Sequence, residues 1–310
     1  MTRRKRQPSA RGRRFFHARI RPDISKGAGP FPFQEKYMTM LHTTTADAFT
    51  PEDFGDLVDL AVKAKSIATR TGTVVGTDKV RINFPIWVSD PAVGWYAENA
   101  TISETDGATD EVVCTPFKIA GITPVSNELA DDSAPAIAEL VGKGLANQVI
   151  RTLDAAYLGN TTTNGASGLL SAAYTTVDTG ASLTNLDPFI EARFAAEDEG
   201  STLTAWIVRP AIAKALSQLK IQSGSNQSLL QFVDDGILVA GLPVLRSNQV
   251  DASTLFWGIP KDHVNVVVRK GTRVEKFPNV YKDGQLLRVT ARYGIAFTNE
   301  PGIVRGYDAA

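Results

Sequence analysis

The sequence predicts an α+β fold, and three observations carry that reading. One long amphipathic helix stands alone at Ser133–Leu158. Two alternating apolar stretches flank an acidic, aromatic loop between Arg81 and Gly121. The second half mixes helices with mostly short strands in no regular βαβ order. At 310 residues, 43% hydrophobic and 21% charged, the chain is of ordinary globular composition and long enough to bury a sizeable core.

The formal net charge of zero hides an asymmetry. Met1–Tyr37 holds eleven Lys/Arg against two acids, a balance of +9, so the remainder carries −9. Residues 1–49 read as a basic, disordered tail and N-terminal arm. Met38 and Met40 offer alternative starts, so an over-extended reading frame and a nucleic-acid arm both stand beside the solvated tail. No apolar run follows the basic start as a secretory signal would require, and none approaches the roughly 20 residues that span a bilayer, so no membrane is expected. The single cysteine, Cys114, excludes an internal disulfide framework.

Residues 50–80 begin with Thr50 as an N-cap and Pro51 at the first helical position. Phe54, Leu57, Leu60, Ala61 and Ala64 keep helical spacing up to about Arg70. Residues 81–121 then read as a long two-stranded ribbon. Ile82, Phe84, Ile86 and Val88 alternate onto one face, with Phe117 and Ile119 on the return, and Pro85 and Pro116 suit edge positions. Its tip holds Trp87, Val93, Trp95 and Tyr96 among Asp90, Glu98, Glu104, Asp106, Asp110 and Glu111, with no lysine between Lys79 and Lys118. An isolated ribbon is marginal in water, and an exposed apolar patch marks an interface. Trp87, Trp95, Tyr96, Glu98, Glu104 and Asp106 are the candidate subunit-interface residues.

The long helix starts with Ser133 as cap and Pro135 and Glu139 in its first turns. Ile137, Val141, Leu145, Val149, Leu153 and Tyr157 recur every fourth residue, and Gly159–Asn160 stop it. At 1.5 Å per residue it spans about 40 Å. Gly142 and Gly144 inside it suit close packing, bending or plain tolerance. A helix is expected around Pro188–Glu197, a strand at "TAWIVRP" and a helix at "AIAKALSQLK". Further strands are expected at "GLPVLRS", "TLFWGI", "VNVVVRK", "TRVEKF", "LLRVTARYGIAFTN" and "GIVRG".

Catalytic and cofactor patterns are missing from the sequence. His17 and His42 lie in or beside the tail, and His263 beside Asp262 reads as a surface turn. No Cys pair, HxxxH or HExxH supplies metal ligands. "GKGLAN" lies mid-helix without a Walker lysine, and "NGASG" is no nucleophile elbow. Asp131 and Asp132 suit a helix start. The expectation is a protein that is not an enzyme and takes no cofactor or metal.

In fixed order come "GWYAENATISETD", "CTPFKIAGITPVSNELADDS", "LDAAYLGN", "GASGLL", "TAWIVRPAIAKALSQLK", "AGLPVLRS" and "LLRVTARYGIAFTNEPGIVRG". Over about Thr50–Gly306 this order resembles the major capsid proteins of tailed bacteriophages, with their Hong Kong 97-type fold. The resemblance implies an E-loop at 81–121, lying across an adjacent subunit, and a P-domain at 122–187 with a spine helix at 133–158. It implies an A-domain at 188–246, with the strands of 247–310 completing the A- and P-domains. It further implies self-assembly, as hexamers and pentamers, into an icosahedral shell around double-stranded DNA. Partners would be a portal, a separate scaffolding protein and a maturation protease, with assembly in the host cytoplasm. The founding member's lysine–asparagine crosslink is not expected, since Asn99 stands beside Glu98 and the loop has no lysine. The alternatives are an encapsulin-type nanocompartment shell and a nucleic-acid-binding protein acting through the basic tail.

Overall fold

Two sheets and one long helix carry the chain. The computed structural model describes residues 62–128, 136–180, 183–222, 226–233 and 236–309. The Thr50 cap, the first turns of its helix, the basic tail, Asp131, Asp132 and the Ser133–Pro135 cap lie outside the described residues. The first helix ends in two pieces, 62–65 and α1 (Ile67–Thr71), because Ser66 between them is extended. Strand β1 (Thr73–Gly76) follows where the sequence suggested only a connection.

The four-stranded sheet has the order β1, β11 (Val264–Pro278), β12 (Gly284–Phe297), β4 (Phe117–Ser126). β1 joins β11 in parallel, and the other pairs are antiparallel. The segments "VNVVVRK" and "TRVEKF" are thus one strand, irregular between Val268 and Arg273. Helix α2 (Ala136–Leu158) covers one face of this sheet. Val149, Leu153 and Tyr157 meet Val289, Ala291 and Tyr293 of β12 in a common core, as the four-residue recurrence requires. Toward its N-terminus the same helix is less covered: Leu140 is exposed, and a Cβ at Gly142 or Gly144 would meet open space. Close packing against the described residues is therefore not what those glycines serve.

The seven-stranded sheet has the order β5 (Thr175–Asp178), β13 (Val304–Tyr307), β10 (Thr254–Ile259), β6 (Ala205–Val208), β9 (Leu242–Arg246), β8 (Gly236–Val239), β7 (Gln231–Val233). Helices α3 (Asp187–Asp198) and α4 (Pro210–Ser217) occupy the expected positions. Phe189, Trp206 and Phe256 fill this core, Phe189 stacked on Phe256 and edge-on to Trp206. Of the strands after Arg246, β11 and β12 lie with the long helix, while β10 and β13 join this second sheet.

One buried carboxylate ties the N-terminal pieces to the long helix. Asp154 Oδ1 accepts a hydrogen bond from Ser66 Oγ at 2.6 Å and one from Ala68 N at 3.2 Å. This explains the break at Ser66: an extended residue there aims its hydroxyl at the acid. Burial pushes the Asp154 carboxyl above its ordinary range, and those hydrogen bonds offset part of the rise. A folded-state value above the unfolded one means the native protein holds more protons in that window. This contribution is therefore full below the ordinary Asp value and is lost as pH rises through the folded value. Asp154→Asn keeps an oxygen for both donors, so urea unfolding of the dissociated protomer should lose that pH dependence. Asp154→Ala strands both donors and should cost roughly 1–3 kcal/mol at every pH.

Candidate subunit interface

The ribbon is a separate two-stranded sheet, β2 (Ile82–Ser89) against β3 (Ala108–Cys114), antiparallel from Ile82↔Cys114 to Ser89↔Ala108. The return arm is therefore 108–114. Phe117 and Ile119, expected there, belong to β4 and pair with Tyr293 and Ala291 of β12. Thr115–Pro116 makes the transfer between sheets, since proline removes a ladder donor.

Among the described residues, only the root of the ribbon packs against the rest of the chain. Ile82, Phe84 and Val112 pack against the buried trio Cys114, Val267 and Ala296. Cys114 is the small buried thiol its setting suggested, its pKa pushed up to about 11 by desolvation. Its Sγ occupies the space over Gly294, where an added Cβ would lie 2.6 Å from it. The inward alternation persists to Ile86, then fails where the register shifts between Trp87 and Ser89, and Val88 is exposed.

Beyond that shift the loop 90–107 has no regular structure. A few bonds shape it: Tyr96 Oη and Ser103 Oγ lie 2.8 Å apart, Thr105 Oγ1 donates to Ala92 O at 3.1 Å, and Asn99 takes a φ of 63° in a turn closed by Ala100 N and Ala97 O. Gly107 lies against Trp87: an added Cβ would come within 2.7 Å of the exposed indole, which would have to shift.

All six candidate residues lie on this ribbon and loop. Trp87 is 68% exposed and Trp95 fully so; Tyr96 is partly shielded, and Glu98, Glu104 and Asp106 are exposed. Asp110 and Glu111 have local partners, the Glu111 amide and the Asn83 amide group respectively. Asp90, Glu98, Glu104 and Asp106 have none among the described residues. Large apolar side chains this exposed, ringed by carboxylates without partners among the described residues, are uncommon on the surface of a lone subunit.

The sequence reading missed other exposed features. Val280 and Tyr281 stand out at the β11–β12 turn, and Ile190 and Phe194 on α3. An apolar pair inside the turn "PNVYKDG" was the available signal for the first. Among the described residues, no three His, Cys, Asp or Glu side chains cluster as metal ligands, and no helix is long and apolar enough to cross a membrane. His263 ends a short 3₁₀ turn, its Nδ1 3.3 Å from Thr298 Oγ1.

A two-sheet body, a long helix and a ribbon left largely exposed among the described residues make up the architecture. The family model described as the phage capsid family matches residues 47–307, and the chain belongs to that family. Its fold is of the Hong Kong 97 type, and its role is that of a major capsid protein of a tailed phage, a structural component of the virion.

Among solved structures, the chain is similar to the capsid of an empty GTA particle, at 18% identity and TM-score 0.68, over 87% of this chain and 99% of that one. It is similar to a structure from Microbacterium phage Oxtober96, at 16% identity and TM-score 0.67, over 78% and 91%. A structure from Mycobacterium phage Adephagia gives 14% and 0.67, over 79% and 90%. These identities make the likeness one of fold. No curated protein matches the chain.

Proposed function

We propose that the chain self-assembles, through hexamers and pentamers, into a closed icosahedral shell that holds double-stranded DNA. The ribbon at 81–121 acts as the E-loop and lies across a neighbouring copy. The observation that carries this reading is the exposure of Trp87 and Trp95 on a ribbon that, among the described residues, packs against its own chain only at its root. A surface of that kind is stable in water once another chain covers it, and in a shell of identical subunits that chain is a sibling. The helix at 133–158 serves as the spine of a P-domain, and 188–246 forms the larger part of an A-domain at capsomer centres. A portal, a separate scaffolding protein and a maturation protease act on the particle, which is built in the host cytoplasm. The family match favours a genome container over an enzyme-carrying nanocompartment. The subunit is structural and catalyses no reaction.

Negative-stain electron microscopy of the purified chain tests this directly. Hollow particles of uniform diameter are expected. Single chains at all concentrations and salt conditions would overturn it.

A further inference from the structure

The outer face of the four-stranded sheet, opposite the long helix, carries a row of cations in register. Lys118 of β4 and Lys270 of β11 are the two direct neighbours of Arg292 on β12. Like charges directly opposite one another across strands are destabilising. One step along, Arg273 stands opposite Thr290. Lys270 and Arg273 are three residues apart, yet their partners Arg292 and Thr290 are only two apart, so β11 carries one extra residue here. That bulge places both cations on the outward face and turns Thr272 inward, where it is fully buried with its hydroxyl 3.2 Å from Tyr293 Oη. In a regular strand Lys270 and Arg273 would point to opposite sides.

These side chains line a depression of about 270 Å³. Its one acid, Glu275, is already engaged by Arg288, whose Nε lies 3.1 Å from Glu275 Oε2. Lys118, Lys270, Arg273 and Arg292 have no carboxylate partner among the described residues. The ribbon presents the complementary surplus: Asp90, Glu98, Glu104 and Asp106, equally without cations. Within one subunit the two groups make no ion pair with each other. Among the described residues, every copy thus brings an arm rich in carboxylates without cations and a depression with four cations lacking a carboxylate.

We propose that this depression is the docking site for the acidic ribbon loop of a second copy of the chain. This rests on the ribbon-over-neighbour reading and adds where the ribbon lands and what holds it there. The occupant is a sibling because arm and depression match in sign and, in a shell of one chain, in stoichiometry. The contact is heterologous, so it propagates from copy to copy around a ring. Pairing of complementary patches sets register and speeds encounter, and it weakens as salt screens it.

The test uses full-length chains and the yield of sedimenting particles, with circular dichroism to confirm that each protomer is folded. Lys270→Glu combined with Arg292→Glu should lower the yield by about tenfold or more, the equivalent of roughly 1.4 kcal/mol per tenfold. Adding Glu98→Lys, Glu104→Lys and Asp106→Lys to the same chain should restore it. Normal assembly of the doubly reversed chain would remove ionic docking while leaving the ribbon overlap intact. So would loss of assembly that the swapped loop fails to rescue. If the reversed chain assembles normally but loses affinity for a short fluorescent DNA duplex, the depression serves phosphate and the proposal falls. A wild type that forms no particles would remove the overlap reading and the docking with it.

Discussion

Replacing Trp95 and Tyr96 together by Ser is expected to leave the protomer folded and to abolish shell closure. Trp95 is fully exposed, and among the described residues Tyr96 is bonded to Ser103 and lies beside Gly94. Neither belongs to a core cluster of the subunit, so their loss removes little that the folded protomer uses. Burial of each against a neighbour is worth on the order of 1.5–3 kcal/mol. A closed shell repeats that contact in every subunit, so a modest loss per contact becomes a large loss of particles. The measurement is a pair: thermal unfolding of the dissociated protomer, and light scattering under assembly conditions. Unchanged unfolding with scattering at the single-chain level is the expected result. An equal fall in both would place the ribbon inside its own subunit.

Much of the fold was legible wherever one period ran long enough to be unambiguous. The four-residue recurrence from Val149 to Tyr157 identified the buried face of the long helix, and alternation in "LLRVTARYGIAFTN" identified β12. Several short strands escaped because three or four residues barely establish a period: β1, β5, β7 and β8 were missed, while β6 and β13, also four residues long, were read. The return arm was misplaced for a related reason. Alternation at Phe117 and Ile119 reports a strand but not its partner, and the partner is β12, some 170 residues away in sequence. The aromatic, acidic half of the interface could be read because its residues are contiguous. Its basic counterpart could not, because Lys118, Lys270 and Arg292 meet only through strand register and a bulge.

The opposite phenotype is expected from Gly168→Ala, which should prevent folding of the protomer itself. Gly168 lies in "GASGLL", under the C-terminal end of the long helix, in extended conformation that any residue can adopt (φ −104°, ψ −170°). The obstacle is space. An added Cβ would lie 2.1 Å from Ala156 O, 2.5 Å from Gly159 O and 2.7 Å from Tyr157 O. All three are backbone atoms, so no side-chain rotation can relieve the clash. The helix end cannot withdraw either, because Tyr157 and Leu158 are fully buried in the helix–sheet core. The loop cannot lift away without breaking the bonds from Gly168 N to Asn160 O and from Leu170 N to Gly159 O, which satisfy carbonyls at the helix terminus. Overpacking of this kind costs about 3 kcal/mol or more, a large share of a domain's stability. Insoluble expression, or a melting transition lowered by at least about 6 °C, is the expected result. A soluble protomer with wild-type melting would show that the loop and helix end separate more readily than their contacts imply. Paired with the Trp95 and Tyr96 substitutions, this variant separates two requirements for a shell: a protomer that folds, and an arm left uncovered until a second copy arrives.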